Sequence, residues 1–194
     1  MISIAPPSGG AWGGTTVDHG FQELFEKLFG RNVMERYAEE NKDDKLLLER
    51  RLELKKREKM KDAKRVAITL PYSLTKETEK AEFQPNIETF GKTMISTRGD
   101  KLIIKSEICI QMFDEARQNL LPHIEKELAK VENIKTIVMV GGFSESEVMK
   151  SAVKERFKPT GLGVFIPNES GLAVVKGTFD VHSVSRFLKH YLAL

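Results

Sequence analysis

Thr136-Ile137-Val138-Met139-Val140 is an unbroken apolar, β-branched run that stops dead at Gly141-Gly142. A strand with one wet face alternates polar and apolar residues. A run apolar throughout belongs in a sheet covered on both faces, which is the habit of parallel sheets. Parallel neighbours need long crossovers, so helices should flank this strand. They do. Ser144 and Glu147 stand in capping-box spacing, and Val148, Met149, Ala152, Val153 and Phe157 then give a helix one apolar face. Residues 163–166 read as another short strand and 171–178 as a small-residue helix. The order strand, turn, helix, strand, helix makes the expected fold class α/β with a parallel sheet.

Upstream, Phe21, Leu24, Phe25, Leu28 and Phe29 recur at helical spacing, with Asp18 as the expected N-cap and Gly30 as the stop. Helices are expected over 33–40 and 45–61, the second carrying Leu47, Leu48, Leu52 and Leu54 on one side. Val66, Ile68 and Leu70 alternate as a strand that Pro71 closes. Residues 72–93 are polar and show no readable period. Residues 94–97 and 101–104 flank Arg98-Gly99-Asp100 as a hairpin. Ser106 is expected to cap a long helix through Cys109, Phe113, Ala116, Leu120, Ile124, Leu128 and Val131, kinked at Pro122. Val184, Phe187, Leu188, Tyr191 and Leu192 make an amphipathic C-terminal helix, read either as a cap on the domain or as a docking surface.

Charge and cysteine usage narrow the function classes. The net charge is +3, yet residues 45–65 hold ten Lys/Arg against four Asp/Glu. Such a helix could bind phosphates or RNA; the interleaved acids fit a solvated face, and nucleic acid is not the expected partner. No run approaches the roughly 18 apolar residues of a membrane span, and the N-terminus lacks the cationic start of a signal peptide. The single Cys109 excludes an internal disulfide and fits a reducing compartment, so a cytoplasmic location is expected. His19, His123, His182 and His190 show no metal-ligand spacing. Gly91-Lys92-Thr93 has the ending of a phosphate loop, but Asn86 stands where its first glycine belongs.

Two glycine-rich places are candidate ligand sites. At Gly141-Gly142 a buried strand turns at once toward a helix. Without a Cβ the chain can turn sharply, and a flat base or ribose can lie against the peptide planes. N–H groups at the following helix start favour electron-rich atoms. A tight connection with no ligand has the same spacing. The second place is Gly9-Gly10-Ala11-Trp12-Gly13-Gly14, a loop able to pass close to a ligand or a flexible arm.

Val140-Gly141-Gly142-Phe143-Ser144, a helix, Ile166-Pro167 and then Gly171-Leu172-Ala173-Val174-Val175-Lys176-Gly177 together resemble the adenosine end of the actin-like ATPase superfamily, a ribonuclease H-like fold. Ser8-Gly9-Gly10-Ala11-Trp12-Gly13-Gly14 before Val17-Asp18, with Val66-Ala67-Ile68-Thr69-Leu70-Pro71-Tyr72-Ser73, resembles the atypical, 12A-like branch of the seventy-kilodalton heat-shock chaperones. The likeness spans residues 8–178. It implies one incomplete ATPase lobe, the second. Residues 8–32 and 106–180 would form the inner subdomain, 33–105 an inserted α+β outer subdomain, and 181–194 a helical tail.

The resemblance also implies site residues. The family grips adenosine with Glu-x-x-Lys-Arg on a helix, matched here by Glu53, Lys56 and Arg57. A guanidinium can stack on a base, and Glu can accept from ribose hydroxyls. Gly9, Gly10, Gly141, Gly142, Phe143 and Ser144 complete the implied nucleotide set, expected to converge with that helix on one purine. The family serine one turn after Arg57 is Met60. Phe143 and Glu145 replace polar and basic residues, and the acid before the last helix falls at Gly171 beside Asn168 and Glu169.

The family hydrolyses ATP with a first lobe and an Asp-x-Gly-Gly-Gly-Thr phosphate loop. Neither occurs in this sequence. ATP or ADP should therefore bind weakly or not at all, Mg should bind only with the missing lobe, and this chain should not hydrolyse ATP alone. Protein clients or co-chaperones are the other implied partners. The rival expectations are a catalytically silent adaptor that binds proteins without nucleotide, a sugar- or acetate-kinase relative, and RNA binding through residues 45–65.

Overall fold

A computed structural model of the chain describes residues 6, 8–58, 60, 62–80, 83–91, 93–172 and 191–193. Two compact units emerge: Thr16–Phe113, and Met1–Thr15 together with Asp114–Leu194. The boundaries of these units fall at 15/16 and 113/114. The first helix and the helix at Ser106 thus group with the middle of the chain.

In the Thr16–Phe113 unit, α1 (Gly14–Phe29) buries Val17, Phe21, Leu24, Phe25, Leu28 and Phe29, the face its periodicity marks. It ends at Gly30, whose φ of 89° suits glycine. It begins a turn before Asp18, so Asp18 is not its cap; the carboxylate is engaged instead by Lys56. After Gly30 the chain re-enters helix as α2 (Arg31–Glu40) and then α3 (Lys42–Arg57). Of the four leucines expected on one side of α3, Leu48 and Leu52 are buried, whereas Leu47 is 40% and Leu54 64% exposed. Lys56 follows Leu52 by four residues, so it continues the buried stripe.

β1 (Arg65–Thr69), β2 (Ile95–Arg98) and β3 (Lys101–Lys105) form an antiparallel sheet with β3 central. The register pairs Val66 with Ile104 and Ile68 with Leu102, while Ile95 also faces Ile104. All five side chains are buried, which fixes the inward face, because a one-residue slip would expose them together. Gly99 carries φ of 60° in the two-residue hairpin turn. The polar stretch after Pro71 holds α4 (Tyr72–Thr78) and α5 (Phe83–Phe90). The long helix expected from Ser106 is divided. α6 (Ser106–Gln111) stops before the buried Phe113, and the Ser106 hydroxyl donates to the Ala63 carbonyl, so it caps nothing.

In the other unit, α7 (Asp114–Leu128) continues through Pro122, and the expected long helix is divided at Met112-Phe113. β4 (Thr136–Val138) is central in a parallel sheet, between β5 (Gly163–Phe165) and β6 (Tyr191–Ala193). Tyr191 and Leu192, expected on a helix, are therefore strand residues; the rest of that segment, 181–190, lies outside the described residues. α8 (Glu147–Phe157) connects β4 to β5 and buries Val148, Met149, Ala152, Val153 and Phe157. Ile124, Ile137, Met139, Val153 and Phe157 make the core, with Leu120, Leu121 and Val164 against it. A helix begins at Ser170, and its expected continuation over 173–178 is outside the described residues. No helix among the described residues is long and apolar enough to cross a membrane.

Candidate functional site

In parallel α/β sheets, ligands lie at the carboxyl ends of the strands. Here two loops meet at that edge, one after β4 and one after β5. The Met139 N–H still bonds the Phe165 carbonyl at 2.9 Å, so the strands remain paired to the rim. Gly141 then takes φ 93° and ψ 164°, a region essentially reserved for glycine. Its N–H donates to the Ser170 carbonyl at 2.8 Å. Its own carbonyl accepts from the Ser144 hydroxyl at 2.6 Å and the Ser144 N–H at 3.1 Å.

Ser144 is thus spent on holding the turn. The expected capping box does not form. A 3-10 turn, Gly142–Glu145, intervenes, and α8 starts at Glu147 behind Ser146. The Ser146 hydroxyl is buried without a hydrogen-bond partner. Gly142 is exposed, and a Cβ there would meet nothing within 4 Å. The turn therefore presents bare peptide to open space.

Glu145 reaches from this turn to the next. Its Oε1 accepts the Gly171 N–H at 3.0 Å, and a Cβ on residue 171 would stand 2.5 Å from the same oxygen. Glu145 also lines a cleft of about 390 Å³ with Glu147, Lys150, Lys154, Asn168 and Glu169. Lys150 is held by Glu147 at 2.8 Å. Glu169 has φ of 56°, a left-handed conformation unusual for a glutamate, and backbone strain of about 1–3 kcal/mol is characteristic of ligand-binding places. Asn168 brings a donor and an acceptor and Glu169 acceptors to the rim, so the cleft suits a polar ligand. Among the described residues no group of three His, Cys, Asp or Glu could hold a metal ion.

Glu53, Lys56 and Arg57 come together on α3, in the Thr16–Phe113 unit. Lys56 is buried; its Nζ lies 2.7 Å from Asp18 Oδ1 and 2.5 Å from Glu53 Oε2. Arg57 Nη2 sits 3.3 Å from Glu53 Oε1, both side chains being about half exposed. Partial burial pushes the Glu53 carboxyl up, but the hydrogen bond and charge of Lys56, aided by Arg57, hold it below the usual value. Met60 is buried in the same unit and offers no polar group.

The N-terminal glycines belong to the other unit. Gly9 is exposed and open, while a Cβ on Gly10 would strike the Trp12 indole at 2.5 Å. Trp12 in turn meets the His123 ring edge-on at 5.2 Å, and the Ser8 hydroxyl lies 3.1 Å from His123 Nε2. Gly10 thus lets Trp12 fold over. Sequence reasoning missed Glu145, Ser170 and Asp18 as partners of the candidate residues. Their contacts span 26, 29 and 38 residues, and only Glu145's position in the 143–145 turn hinted at a role.

With the geometry in hand, curated proteins supply the comparison. The chain is 29% identical to heat shock 70 kDa protein 12B of Homo sapiens over 179 residues, 88% of its own length. It is 25% identical to heat shock 70 kDa protein 12A of Homo sapiens and of Mus musculus, again over 88%. It spans 26% of the length of each of these relatives. The resemblance to the 12A-like branch read from the motifs is therefore a similarity along most of the chain. No protein-family model matches it, and no solved structure does.

Proposed function

We propose that this chain is a nucleotide-binding part of a heat-shock-70-type protein with an actin-like ATPase fold, and that the Gly141-Gly142 turn forms the wall against which adenosine lies. The observation that carries this reading is the bare glycine turn at the carboxyl ends of two parallel strands, open to solvent at Gly142 and followed by Glu145, which lines the neighbouring polar cleft. The similarity to heat shock 70 kDa proteins 12B and 12A supports it.

In this reading the peptide planes of Gly141 and Gly142 meet the base or ribose, Phe143 flanks it, and Ser144 holds the turn rather than the ligand. Glu53 and Arg57 on α3 are nucleotide-side candidates through the resemblance, Arg57 as a guanidinium able to stack on a base and Glu53 as an acceptor for ribose hydroxyls. Lys56, already locked between Asp18 and Glu53, orients Glu53 and does not touch the ligand. Gly9 and Gly10 remain nucleotide-side candidates through the resemblance alone. Hydrolysis, Mg²⁺ and client or co-chaperone binding are proposed only for a longer protein that carries the Asp-x-Gly-Gly-Gly-Thr loop. A cytoplasmic setting is proposed with them.

Thermal melting tests the reading. ATP or ADP at ten times its Kd should stabilise by about 1.4 kcal/mol, or roughly 3–6 °C in a chain of this size. Arg57→Ala should remove the shift. Exposed Leu46, Leu47 and Leu54 on α3 favour a second reading, an adaptor that binds protein and no nucleotide. An unchanged melting temperature at millimolar ATP and ADP would leave that reading in place of the first.

A further inference from the structure

Two hydrogen bonds run in opposite directions between the turn after β4 and the turn after β5. The Gly141 N–H donates outward to the Ser170 carbonyl at 2.8 Å, and the Gly171 N–H donates back to Glu145 Oε1 at 3.0 Å. One is backbone to backbone, made by a residue whose conformation favours glycine. The other depends on a particular side chain, and the carboxylate acceptor makes it the stronger type.

The remaining local geometry is built around that side chain. Residue 171 is glycine, and a Cβ there would sit 2.5 Å from the Glu145 oxygen and 3.1 Å from its carboxyl carbon. Glu169, two residues before, is held at φ 56°. The Leu172 N–H closes on the Glu169 carbonyl at 2.8 Å. A strained turn persists only where its surroundings over-determine it, and the bond from Gly171 to Glu145 is one such restraint.

From these contacts we infer that Glu145 is the positioning residue of the cleft: its carboxylate clasps the 168–171 turn to the glycine turn and so sets the width of the ligand-binding edge. The inference rests on the nucleotide reading of the same site. It adds that the acid at this position serves as an internal strap, with its affinity contribution passing through Ser170 and Gly171 and not through contact with the base.

The chemistry gives the strap a signature that general loss of structure would not have. Glu145→Ala removes the acceptor. Glu145→Gln keeps a side-chain oxygen at the same reach. Gly171→Ala leaves the acceptor but drives it away, because the far end of Glu145 is the flexible partner in the collision. Gly171→Ala should therefore reproduce Glu145→Ala, and the double variant should be no worse than either single one.

The experiment reads hydrogen exchange of peptides covering 166–172 without nucleotide, and affinity for a fluorescent ADP analogue, in wild type and these four variants. Glu145→Ala and Gly171→Ala should each speed exchange at Gly171 about tenfold and weaken the analogue about tenfold, the double variant should match them, and Glu145→Gln should restore most of both. Unchanged exchange in Glu145→Ala, additive losses in the double variant, or full analogue affinity despite faster exchange would each overturn the strap. Failure of wild type to bind the analogue would instead overturn the nucleotide reading on which it rests.

Discussion

Replacing the two glycines of the turn one at a time should separate folding from binding. Gly141 sits at φ 93° and ψ 164°, where an L side chain costs about 1–3 kcal/mol. Alanine also restricts the unfolded chain, which returns about 0.4–1 kcal/mol. Gly141→Ala should therefore destabilise by about 1–2 kcal/mol net. With a urea slope of about 2 kcal/mol/M, the midpoint falls by roughly 0.5–1 M.

Gly142 has no positive φ, and nothing lies within 4 Å of its absent Cβ. Gly142→Ala should leave the midpoint unchanged or slightly raised, yet weaken nucleotide, because the methyl enters the space the ligand occupies. Urea unfolding followed by circular dichroism reads the first effect and a fluorescent nucleotide the second. The reasoning is refuted if Gly142→Ala is the more destabilising of the two, or if Gly141→Ala unfolds with the wild-type midpoint.

Three further outcomes follow from the contacts. Lys56→Met leaves Asp18 and Glu53 without their shared cation. The loss should lie between that of an exposed and a buried pair, about 1–3 kcal/mol in urea unfolding, since the carboxylates are partly solvated. Glu53 has a folded value below its ordinary one, so its contribution is present at neutral pH and lost as pH falls through the folded value. The stability deficit of Glu53→Gln should accordingly be full at pH 7 and close below about pH 4.5. Burial pushes the Cys109 thiol up to about 12, so a thiol reagent at pH 8 should label it only at the rate of unfolding.

Patterns set by a single element were readable in the sequence. β4 was readable as an apolar run that buries Ile137 and Val138 in succession, and β1 alternates because its Val66 and Ile68 face inward. The face of α8 followed its periodicity residue by residue. Caps were misread for one reason. Asp18 and Ser144 have the right chemistry, but Asp18 lies inside α1 and pairs with the distant Lys56 ammonium, and Ser144 lies inside the 3-10 turn and donates to the Gly141 carbonyl.

The helices after Pro71 span seven and eight residues, too short for a period to emerge from a polar stretch. Tyr191–Ala193 is three residues of strand inside an apparent helical repeat, and only its pairing with β4 decides it. At the site, the Gly141-Gly142 pair was legible because it directly follows the apolar strand run, and the Gly141 backbone demands glycine locally. Glu145 was not, since its partner Gly171 is 26 residues away.

Photolabelling with 8-azido-ATP, followed by peptide mapping, would locate the base directly. Saturable label that unlabelled ATP displaces, falling in peptides covering 141–147 or 166–172, is the predicted result. Label that does not saturate, or that falls on neither peptide nor on α3, would contradict nucleotide binding at the glycine turn.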